Sequence, residues 1–67
     1  MDESKRQAVT FLEKEIKTYI ALALFLSKEG IKERVQLGDK EVLIGPAYYN
    51  ERMREARKIV NELRRPN

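Results

Sequence analysis

A chain of 67 residues has room for one domain, and at this length folding hides only about 60% of the surface that the unfolded chain exposes. It contains neither cysteine nor histidine, which removes disulfides, the ordinary zinc site, and the most common general base and thiol nucleophile. Hydrophobic residues at 42%, charged residues at 37% and a formal net charge of +3 describe a folded domain, basic enough to tolerate nucleic acid but short of a histone-like excess.

The residues from Ser4 to Gln7 fit a capping box, in which the Ser4 hydroxyl accepts from the Gln7 amide and the Gln7 side chain reaches back. The first helix is therefore expected over about 4–29, starting near Ser4 or at Asp2. Gly30 suits the left-handed residue that closes a helix, with Ile31 beyond it placed to touch Leu26. Val9, Leu12, Ile16, Tyr19, Ala23 and Leu26 recur at alternating spacings of three and four, a seam for a partner helix. A second stripe, Phe11, Thr18, Leu22 and Phe25, widens the apolar surface towards Gly30. Together they make the run from Tyr19 to Leu26 apolar on every side, and a helix of that kind must be covered on every side. A membrane does not answer the need, because a spanning helix takes about 20 apolar residues and Lys17 and Lys28 bracket this run. One intramolecular helix shields one face, so a second copy is expected on the other, through Phe11, Leu22 and Phe25.

Beyond Gly30 the period changes to two: Val35 and Leu37, then Val42 and Ile44, alternate with polar residues. This predicts a β-hairpin over about 32–45. A two-residue turn at Gly38-Asp39 sets Leu37 opposite Lys40, whereas a four-residue loop sets Leu37 opposite Val42. The longer loop is preferred, on the argument that register follows the buried face. Such a hairpin is marginal alone, so it is expected to lie on the helices or to pair with its copy.

Gly45-Pro46 ends the second strand and starts the second helix, expected over about 46–64, with Pro46 at the first position, where its missing amide proton is no loss. Pro66 halts it. Tyr49, Met53, Ala56, Val60 and Leu63 form its seam. The fold class that follows is α+β and mostly helical: a long helix, a hairpin and a second helix antiparallel to the first, with two copies forming a four-helix core.

Projected at about 100° per residue, the second helix sorts its charges. Glu51, Glu55 and Glu62 fall on one flank of the seam; Asn50, Arg54, Arg57, Asn61, Arg64 and Arg65 fall on the other flank and the outer face. Arginines neutralise phosphates and amides read base edges, so this flank is a candidate nucleic-acid or partner surface, with Tyr48 as an aromatic able to stack. Against that stand the acids three residues from bases, Glu51 to Arg54, Glu55 to Lys58 and Glu62 to Arg65, which form ordinary helix-surface pairs. Glu13 on the first helix is a further acid within reach of the flank. Ser4 and Ser27 sit at helix ends, where capping accounts for them, and the acidic pairs Glu13 with Glu15 and Asp39 with Glu41 read as solvated. No glycine-rich phosphate loop occurs. The polar stretch from Met1 to Gln7 does not resemble a secretory leader, so a cytoplasmic location is expected.

The function read from these features is a small non-catalytic, homo-oligomeric interaction module with no cofactor or metal. Its partners are expected to be its own copies and another protein, not a membrane. A regulator that binds nucleic acid through the basic flank is the alternative.

Overall fold

The computed structural model describes residues 2–66; the first and last residues of the domain expected over 1–67 lie outside them. The order is helix, strand, strand, helix: α1 (Glu3–Glu29), β1 (Glu33–Leu37), β2 (Lys40–Ile44) and α2 (Pro46–Arg64). No helix among the described residues is long and apolar enough to cross a membrane.

The start of α1 differs in detail from the expected capping box. Asp2 is the cap, its Oδ1 accepting from the Lys5 amide at 2.8 Å. Ser4 lies inside the first turn, and Gln7 Nε2 donates to Glu3 Oε1 at 3.3 Å rather than reaching back to Ser4. A carboxylate is the stronger choice here, because it satisfies an orphan amide and also places negative charge at the positive end of the helix dipole. At the other end Gly30 is left-handed, with φ 67°. The Ile31 amide donates to the Leu26 carbonyl at 2.9 Å and the Gly30 amide to the Ser27 carbonyl at 3.3 Å, the two bonds of a Schellman ending. Leu26 and Ile31 line one hollow there.

The hairpin takes the two-residue turn, and the preferred four-residue loop is wrong. Leu37 faces Lys40, Val35 faces Val42 and Glu33 faces Ile44. Moving the register by two residues returns each side chain to the same face, so Val35, Leu37, Val42 and Ile44 share a face in either arrangement and burial cannot choose between them. The turn chooses. Gly38 has φ 64° and Asp39 does not have positive φ, the pattern of a type II′ turn, whose twist suits the flanking strands. Gln36 Nε2 donates to the Gly38 carbonyl at 3.0 Å, and Arg34 bridges Glu41 at 3.2 Å on the reverse face.

α2 starts at Pro46 and runs back antiparallel to α1: Tyr49 near its start stacks on Tyr19, and Arg64 at its end bridges Glu13. The hairpin does not lie across the pair. β2 meets α2, and neither strand packs on α1. The core is correspondingly thin. Val9 and Ala23 of α1 and Ala56 and Val60 of α2 are its buried hydrophobics, and among the described residues no side chain is completely enclosed. The radius of gyration is 14.5 Å and the extents are 41 × 29 × 15 Å, against about 11 Å for a compact chain of this length.

Candidate interaction surfaces

Two antiparallel helices with one seam leave two open faces, and the sequence makes them different. One, marked by Tyr19, Tyr48 and Arg52, is the tyrosine face. The other, marked by Glu13, Arg57 and Arg64, is the arginine face. By helical projection at about 100° per residue, Phe11, Leu22, Glu15, Ile59, Glu55 and Glu62 belong to the first, and Lys17, Ile20, Leu24 and Asn61 to the second.

On the tyrosine face the rings form a cluster. Tyr19 and Tyr49 stack with centroids 6.0 Å apart, and Tyr48 meets Tyr49 edge-on at 5.1 Å. The Arg52 guanidinium lies 5.7 Å from the Tyr19 ring centre and 5.9 Å from that of Tyr48, within cation–π range. The Tyr19 side chain first, and Tyr48 after it, hold the Arg52 guanidinium above its ordinary value. The Tyr19 hydroxyl donates to Glu15 Oε2 at 2.7 Å. Tyr48, expected as an aromatic able to stack on a partner, is half-buried and engaged by Tyr49 and Arg52. Phe11 and Phe25 are 61% and 54% exposed and Leu22 is half-buried. Phe25 projects about 60° further round α1 than Leu22, at the margin of this face. Thr18, in the same stripe, donates its hydroxyl to the Lys14 carbonyl at 3.1 Å, so it adds no unpaired polar group. Ile59, 50% exposed, extends the patch onto α2.

The arginine face holds an open groove of about 410 Å³ with Ile16, Ile20 and Val60 as its floor and Lys17, Arg57, Asn61, Glu13 and Arg64 around it. Arg64 donates to Glu13 Oε2 at 3.0 Å, the interhelix pairing open to Glu13 in an antiparallel arrangement. Arg54 bridges Glu51 at 3.0 Å and Arg65 bridges Glu62 at 3.5 Å; the third intrahelical pair, Glu55 with Lys58, is not made. Asn50 is half-buried, while Arg57 and Asn61 are exposed. The expected basic flank is thus split: Arg57, Asn61 and Arg64 converge on the groove, while Arg54 and Arg65 point outwards with acids of their own. Glu13 and Glu15 go to opposite faces of α1, and Glu41 goes to Arg34.

Two participants escaped the sequence reading. Arg52 has no place in either flank read from the sequence, although it lies three residues after Tyr49 and four after Tyr48, a spacing that does bring a side chain back over a ring. Leu24, 67% exposed, was absorbed in the apolar run, and its projection beside Lys17 was the signal that it belongs to the arginine face. No protein-family model, curated protein or solved structure matches this chain.

Proposed function

We propose that this chain is a non-catalytic, self-associating interaction module, in which the Phe11, Leu22 and Phe25 side of α1 packs against a second copy to complete a four-helix core. The observation that carries this reading is the thin core: four buried hydrophobics on one seam, with Phe11, Phe25 and Ile59 at least half exposed beside it. A chain this small, with neither cysteine nor histidine, can form no disulfide and no ordinary zinc site to compensate, and association is the usual remedy. Sedimentation at micromolar concentration tests it: assembled species are expected, and a well-folded single chain of 7.9 kDa at high concentration would overturn the reading.

The alternative, a nucleic-acid regulator, draws on Arg57, Asn61 and Arg64 gathered at one groove. Acids already held by Arg54, Arg64 and Arg65 speak for the first reading, since a polyanion would have to displace them. Binding to duplex DNA across a salt series separates the two, with a slope of about 0.9 per neutralised phosphate on the nucleic-acid reading and no measurable affinity at physiological salt on the module reading.

A further inference from the structure

We infer that the tyrosine face of one copy is covered by the arginine face of a second, so that copies associate through unlike faces. This rests on the self-association proposed above and names the surface that meets it. The tyrosine face carries Glu15, Glu55 and Glu62 against Arg52 and the Arg65 that bridges Glu62; the arginine face carries Lys17, Arg57 and Arg64 against Glu13. Laid on its own copy, the arginine face gathers six cations against two acids, and the tyrosine face six acids against four cations. Unlike faces come closer to balance, and like-charge juxtaposition across an interface is costly enough to select against wrong pairings.

Shape agrees with charge. Ile59, 50% exposed, stands between Glu55 and Glu62, four residues before it and three after, so α2 presents an apolar knob flanked by carboxylates. The groove presents the counterpart: an apolar floor of Ile20 and Val60 between Lys17 and Arg57, two cations that bridge no acid among the described residues. An unlike-face contact leaves one face of each kind free at the ends, so assembly continues past two copies until a ring closes or a stack grows.

Charge reversal on each face tests this in the full chain. Lys17→Glu with Arg57→Glu alters the arginine face, and Glu55→Lys with Glu62→Lys alters the tyrosine face; circular dichroism checks that each variant keeps its helices. Each variant alone is expected to sediment as a single chain where the unaltered protein is assembled, and an equimolar mixture of the two is expected to reassemble. If the Lys17 and Arg57 variant assembles like the unaltered protein, the copies meet through like faces and the inference fails while self-association stands. If both variants dissociate and their mixture stays dissociated, the inference fails as well. An unaltered protein that never assembles defeats both. Should a variant lose its helices, salt decides on the unaltered chain: raising chloride from about 0.1 to about 1 M shortens the screening length from about 10 to about 3 Å and should weaken association, whereas an insensitive assembly overturns the inference.

Discussion

Gly30 was legible because only a residue without a β-carbon takes a left-handed conformation freely, and an apolar seam that stops at such a residue marks the end of a helix. A β-carbon at Gly30 would touch nothing within 4 Å, so Gly30→Ala isolates backbone strain from steric clash. It is expected to destabilise the fold by about 1 kcal/mol, read from denaturant unfolding; a neutral result would mean that the ending tolerates another geometry. Asp2 was harder to see, because two capping residues stood two positions apart and the box motif favoured Ser4. Asp2→Ala should cost about 1 kcal/mol, and Ser4→Ala much less, since the Lys5 amide bonds to Asp2. Equal effects in thermal melts would restore Ser4 as the cap. Arg52 was illegible for a different reason: its partners lie on both helices, and a spacing rule applied within α2 supplies Tyr48 but not Tyr19.

Both helices were readable over nearly their whole length, because a seam and a glycine or proline stop agreed on each, and Pro46 marked the start of α2. The hairpin was readable as a hairpin but not in its pairing, since period-two alternation is blind to a shift of two residues and the deciding fact was the φ of Gly38. Its attachment was not readable at all. Suspended from α2 alone, with Leu37 and Leu43 about half exposed, it lacks the packing that most stabilises a two-stranded unit. Backbone amides of β1 and β2 are therefore expected to exchange with solvent faster than those at the centre of α1, by local opening that leaves the helices intact. Equal protection throughout would indicate that the hairpin is covered in solution.

For the chain as a whole, composition and length pointed to association, and the thin core gives that expectation a location. Phe25 is 54% exposed in the single chain, so its truncation should leave the folding of that chain almost unchanged and act on the assembly. Phe25→Ala is expected to shift sedimentation towards the single chain, with up to about 3–5 kcal/mol lost if the ring is fully enclosed by a second copy. A variant that associates as tightly as the original would place the contact elsewhere on α1. The sequence distinguished an acidic from a basic flank of α2 but could not say which lay beside Phe11 and Leu22. That depends on how α1 is rotated about its own axis, and the Glu13–Arg64 bridge on one side with the Tyr19 cluster on the other fixes it.

The chain has three tyrosines and no tryptophan, and all three stand in the single cluster where the start of α2 meets the middle of α1. Its tyrosine emission and its dichroism in the tyrosine band therefore report on one place only. Separation of the helices should change both signals sharply. Opening of the hairpin, which holds no aromatic residue, should be optically silent, so an unfolding step seen by amide exchange but missed by tyrosine emission identifies itself as the hairpin without any label being attached.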